Sequence, residues 1–150
     1  MKELNHEFTE WREPRCGNAT HVDTNVNDPK VVHKELSYEI IAAALEVLNT
    51  LGCGFIEKPY ENAMVVELRL RKLQVEQQKQ FVIHYKDVDV GEYFPDLLVD
   101  GKVIVDTKVI EAITNENVAQ MMNYLTITGL KLGIIINFKH PKLEYRRIVR

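Results

Sequence analysis

The sequence predicts an α/β (α+β) fold, one mixed β-sheet with α-helices packed on it. Three observations carry that expectation. Two stretches of helical spacing open the patterned region, near residues 37–52 and 59–72. Short apolar segments follow, interrupted by Asp100-Gly101. A third helical stretch, residues 115–128, then precedes a continuous apolar run at residues 132–138. Helix, helix, strands, helix, strand, strand is the element order of a mixed sheet flanked by helices.

Each element has a local reason. Residues 1–34 show no sustained period, and NATHVDTNVNDPK is rich in Asn, Asp and Thr, so a loosely ordered N-terminal arm is expected there. Residues 35–150 are expected to form one domain with a single core. Ser37 is a candidate helix cap, Ile40, Ile41, Ala44, Leu45 and Leu48 give helical spacing, and Gly52 can close the helix. Pro59 suits the first turn of a second helix, which Ala63, Met64, Val66, Leu68 and Leu70 carry to about Lys72. Strands are expected at residues 74–78, 81–85, 93–99 and 102–110, with Asp100-Gly101 as a hairpin turn. The third helix stops at Gly129, and residues 132–138 and 143–149 read as two final strands.

The hairpin PDLLVDGKVIVDTK, residues 95–108, poses the central question. Asp96, Asp106 and Lys108 are set into strands that apolar residues would pack better. Side chains alternate across a strand. Leu97, Val99, Val103, Val105 and Val109 are all apolar and must face a core, whereas the even-numbered set carries the charges. A strict two-residue loop would put Asp96 and Asp106 on opposite faces. A three-residue loop, Val99-Asp100-Gly101, pairs Leu98 with Lys102 and lets the valine-rich faces merge. That bulged register is expected, with Asp96, Asp106 and Lys108 on one face. Two carboxylates so close repel, and a divalent cation removes the conflict. A lysine beside them can orient water or stabilise charge developing on a phosphate. The competing reading is a solvated sheet face with a surface ion pair.

Composition narrows the classes. Hydrophobic residues make up 45% and charged residues 27% of 150, ordinary for a soluble globular protein. No apolar run approaches a membrane span, and the polar N-terminus lacks a signal-peptide core, so a cytoplasmic protein without membrane contact is expected. Cys16 and Cys53 have no CxxC partner, which argues against zinc. The formal charge of −3 argues against coating nucleic acid through bulk positive charge. A local groove stays open, because residues 130–150 hold six Lys or Arg against Glu144 alone. Lysine and arginine guarding a solvated edge strand is the equal alternative. No histidine spacing suggests a metal site; His84, in a strand, could reach the site, but a surface or half-buried position is expected for it and for the other histidines.

Pro95-Asp96, a spacer and Asp106-x-Lys108 match the PD-(D/E)xK nuclease signature. GFIEKPY supplies Gly54, Glu57 and Tyr60 at G-x-x-E-x-x-Y spacing, and QMMNY supplies Gln120 and Tyr124 at Q-x-x-x-Y spacing. Together with HKELSYEIIAAALEVLNTLG, VELRLRKLQVEQQ, VGEYFPDLLV and LGIIINF, these residues closely resemble the GxxExxY family, a branch of the PD-(D/E)xK nuclease-like superfamily, from about His33 to Arg150. The resemblance implies a restriction-endonuclease-like mixed sheet and Mg²⁺-dependent phosphodiester hydrolysis, with Mn²⁺ as a substitute and DNA as substrate. It implies Asp96 and Asp106 as metal ligands, Glu57 as a helical acidic residue reaching the metal through water, and Lys108 as the catalytic lysine. It implies Gln120 and Tyr124 as an accessory motif holding the site and the DNA backbone. Tyr60 reads more simply as a packing residue. Asp106 stands where the family more often has Glu, and Cys53 where it commonly has Pro. A module of the same fold that binds nucleic acid or a protein without cutting is the alternative function. A homodimer, or a partner docked through the arm, completes the expectations.

Overall fold

The computed structural model describes residues 32–150, so the expected arm lies outside the described residues through position 31. Helices α1 (Lys34–Leu51) and α2 (Glu57–Leu70) come first. Five strands follow: β1 (Val75–Gln77), β2 (Phe81–Tyr85), β3 (Val88–Tyr93), β4 (Leu97–Val99) and β5 (Val103–Lys108). Helix α3 (Asn115–Thr128) leads to β6 (Leu132–Asn137) and β7 (Glu144–Val149). The main sheet has the order β1-β4-β5-β6-β7, and β2 and β3 form a separate hairpin. Only β5 and β6 pair in parallel in the main sheet, because α3 carries the chain back between them. The architecture is the expected mixed sheet with flanking helices.

Both faces of the sheet are covered. The odd-numbered set, Leu97, Val99, Val103 and Val105, packs with Ile40, Ala44 and Leu48 of α1 and Tyr60, Met64 and Leu68 of α2. The opposite face packs Leu98, Ile104 and Ile135 against Met121 and Leu125 of α3 and against Tyr93. Tyr60 is fully buried, donates its hydroxyl to Gly52 O at 2.7 Å, and stacks on Phe138 with ring centroids 4.7 Å apart. Packing is its role, as the sequence suggests. Val66 and Leu70, expected in the α2 stripe, are exposed instead. Buried Val65 and Glu61 complete that face.

Several local expectations are corrected. Helix α1 begins at Lys34, and Ser37 lies buried inside its first turns rather than capping it. A tertiary partner overrides the capping preference: Arg147 Nε donates to Ser37 Oγ at 3.1 Å and Arg147 Nη2 to Val32 O at 2.8 Å. That arginine is therefore turned into the protein and is no part of a basic surface. The strand expected at residues 93–99 is broken at Phe94-Pro95-Asp96, because proline has no N–H for the ladder and constrains the residue before it. Strand β3 extends back to Val88, which the sequence reading missed.

The hairpin register differs by two residues from the one expected. Leu98 pairs with Ile104 and Val99 with Val103, so the extra loop residue is Lys102 rather than Val99. Asp100 and Gly101 both adopt positive φ, 51° and 65°, and Lys102 N–H donates to Val99 O at 3.0 Å. Asp100 tolerates this because Gln74, just before β1, holds it: its N–H donates to Gln74 O and its Oδ1 accepts from Gln74 N–H, each at 2.8 Å. A two-residue slip preserves the alternation, so the predicted valine face survives.

Candidate active site

The site lies where β5 ends and the chain bends into β4. Pro95 interrupts the strand, leaving Asp96 outside the ladder with a side chain free to turn towards β5. Asp96 Oδ2 accepts two hydrogen bonds from Thr107, one from the backbone N–H at 2.8 Å and one from the hydroxyl at 2.9 Å. The Asp96 carboxyl also lies within hydrogen-bonding reach of the Asp106 side chain. Lys108, two residues along the same strand, places Nζ 3.1 Å from Asp106 Oδ2. Alternation along β5 explains this pairing, since positions 106 and 108 project from one face. Sequence spacing thus brings Asp96, Asp106 and Lys108 together.

The electrostatics mark a strained pair. Burial is the largest effect on Asp106, and together with the neighbouring Asp96 it pushes the carboxyl from 3.8 up to about 7, against the pull of Lys108. For Lys108 burial works against the ammonium. The carboxylates of Asp106, Glu57 and Asp96 outweigh it, so the lysine holds its proton above the ordinary range. Two carboxylates this close repel each other when both are ionised, and a divalent cation between them relieves that repulsion. The oxygen-only donor set suits Mg²⁺ or Mn²⁺, which need one or two carboxylates and leave positions for water and phosphate.

Tyr124 and Gln120 of α3 also belong here. The Tyr124 ring stacks on Tyr93 with centroids 3.6 Å apart and planes 14° apart, and Gln120 hydrogen-bonds its side chain to Tyr124. Burial first, and then the charge on Asp106, raise both phenols above their ordinary range. Gln120 is exposed and Tyr124 half-buried, so α3 forms one wall of the site. Glu57 is the first residue of α2 and is exposed. Among the described residues no three His, Cys, Asp or Glu side chains converge to hold a metal, so Glu57 stands outside the aspartate pair. Its charge still reaches Lys108. His84 is exposed on the β2–β3 hairpin and pairs with Asp89 at 2.7 Å, as a surface histidine.

Residues that the sequence reading missed complete the surroundings. Thr107, fully buried between the two charged residues, fixes Asp96. Glu61 is buried one helical turn after Glu57, and its Oε1 accepts from Lys58 Nζ, Gln77 Nε2 and Gln78 Nε2 at 3.0, 2.8 and 2.9 Å. The i, i+4 spacing from Glu57 was a readable signal for Glu61. Nothing in the sequence marked Gln78, whose position depends on a bend after β1.

A family model described as the PD-(D/E)XK nuclease superfamily matches residues 34–148. The chain belongs to the PD-(D/E)XK nuclease superfamily, and the mixed sheet with flanking helices described above is consistent with the restriction-endonuclease-like fold of that class. Neither a comparison with curated proteins nor one with solved structures gave a match.

Proposed function

We propose that this chain is a divalent-metal-dependent nuclease of the GxxExxY branch that hydrolyses phosphodiester bonds, with DNA as its substrate and Mg²⁺ as its cofactor. The observation that carries the reading is the half-buried Asp96–Asp106 pair with Lys108 Nζ 3.1 Å from Asp106 Oδ2. A stable core gains nothing from two carboxylates in contact, because each disfavours ionisation of the other. A metal-dependent site needs them.

Asp96 and Asp106 would hold the cation, with Glu57 joining through water. When bound, the cation supplies Lewis-acid charge that stabilises a phosphate as negative charge develops on it and acidifies water. Thr107 fixes Asp96 Oδ2, so the carboxylate meets its ligand already oriented. Lys108 keeps a full positive charge beside the phosphate position, where it orients water and stabilises phosphate oxygens. Gln120 and Tyr124 form the adjoining wall, placed to contact the nucleic-acid backbone.

Cleavage of single- and double-stranded DNA and RNA with Mg²⁺, Mn²⁺ or EDTA tests the proposal, with Asp106→Ala and Lys108→Ala proteins alongside. Metal-dependent cutting of DNA that is lost in both variants is the expected result. A folded protein that cuts no substrate with either metal would overturn it.

A further inference from the structure

We infer that Gln78 is a positioning residue for the metal-binding carboxylate Asp96, which it aims by bridging it to Glu61 on α2. This inference rests on the proposed metal site. The Gln78 side-chain amide donates to Glu61 Oε1 at 2.9 Å and to Asp96 Oδ1 at 3.3 Å. An amide NH₂ has two donors, and both are used. The backbone is engaged as well: Gln78 N–H donates to Asp96 O at 3.1 Å. One residue therefore grips Asp96 at both its carbonyl and its carboxylate.

The conformation at this position is unusual. Gln78 adopts φ 55°, in the left-handed region that non-glycine residues seldom enter. Residues held there by surrounding bonds concentrate at functional sites. Here the left-handed turn ends β1 and directs the amide between α2 and the Pro95-Asp96 bend.

The division of labour on Asp96 follows from its two oxygens. Thr107 occupies Oδ2 with two donors, and Gln78 approaches Oδ1. With Oδ2 saturated, Oδ1 retains the lone pair that faces a ligand, and Gln78 sets its direction. Glu61 anchors the amide and is itself held by Lys58 and Gln77. Outer partners of this kind typically tune metal affinity or activity by about 10–100-fold.

Gln77 provides the control. It donates to Glu61 Oε1 at 2.8 Å and to Asn62 Oδ1 at 2.7 Å but makes no hydrogen bond to Asp96. Gln78 is exposed, so Gln78→Met removes both donors without opening a cavity. Mn²⁺ binding would be measured by calorimetry or water-proton relaxation on the full chain, for wild type, Gln78→Met and Gln77→Met, with Tm and DNA cleavage recorded for each. Gln78→Met should bind Mn²⁺ at least about tenfold more weakly with little change in Tm, whereas Gln77→Met should match wild type. Equal weakening in both variants would reduce Gln78 to a tether of α2 and overturn the inference. Unchanged Mn²⁺ affinity in Gln78→Met, with wild type binding and cutting normally, would overturn it too and leave the nuclease reading intact. A wild-type protein that binds no Mn²⁺ would overturn both.

Discussion

Asp106→Asn should stabilise the metal-free protein at alkaline pH. Burial and Asp96 raise the Asp106 carboxyl from 3.8 to about 7. A raised carboxyl means that the folded state binds the proton more tightly than the unfolded state does. Its contribution to stability is fully present below the ordinary carboxylate range, falls as pH rises, and is lost above about pH 7. The gap between the two values corresponds to about 4 kcal/mol, at about 1.4 kcal/mol per pH unit. Relaxation and water entry reduce such a penalty, so about 2 kcal/mol is the working figure. Asparagine stands in for the neutral acid and should recover that amount near pH 8. For a domain of this size the gain is on the order of 6 °C in Tm. The advantage should shrink as pH falls through the ordinary carboxylate range, below which wild-type Asp106 is protonated in both states. Melting curves in EDTA across this range measure it directly. On the proposed function, saturating Mg²⁺ should raise the wild-type Tm at pH 8 and leave the variant unmoved, because only wild type would offer both proposed ligands. An Asp106→Asn protein that melts with wild type at pH 8 would refute the reasoning, because the desolvation of Asp106 and its repulsion by Asp96 would then not outweigh its attraction to Lys108.

Two other substitutions probe the scaffold. A Cβ added at Gly133 would overlap Met121 Sδ and lie 2.7 Å from Met121 Cγ, so Gly133→Ala should cost about 1–3 kcal/mol by overpacking α3 against β6, read from urea unfolding. Arg147→Met should cost about 2 kcal/mol in the same assay, because Ser37 Oγ and Val32 O lose their buried donor. A loss below about 0.5 kcal/mol would place Arg147 among ordinary surface residues.

Much of the candidate site's geometry was legible because it is local. Asp106 and Lys108 sit two residues apart on one strand, and alternation alone puts them on one face. Helix α3 was legible from end to end, since its apolar stripe and Gly129 are continuous signals. What escaped depends on contacts across the fold. Ser37 looks like a cap until Arg147, 110 residues away, claims its hydroxyl. The turn register depends on Gln74 gripping Asp100, a bond between residues 26 apart that no hairpin rule contains. Gln78 was invisible for the same reason: it reads as a surface polar residue until α2, β1 and the Pro95-Asp96 bend are placed together.

The bond from Arg147 to Val32 spans 115 positions of the chain and brings the first described turn against the last strand. The point where the domain is entered and the point where it is left are therefore neighbours in space. Joining them with a short linker closes a loop that the native structure already nearly closes, and such closure costs little entropy. New termini could then be opened at the exposed tip of the β2–β3 hairpin, around Lys86 and Asp87, which belongs to neither strand of the main sheet. A circularly permuted chain cut there would keep Asp96, Asp106 and Lys108 on one uninterrupted stretch, and the hairpin that bears them would be carried intact into the rearranged order.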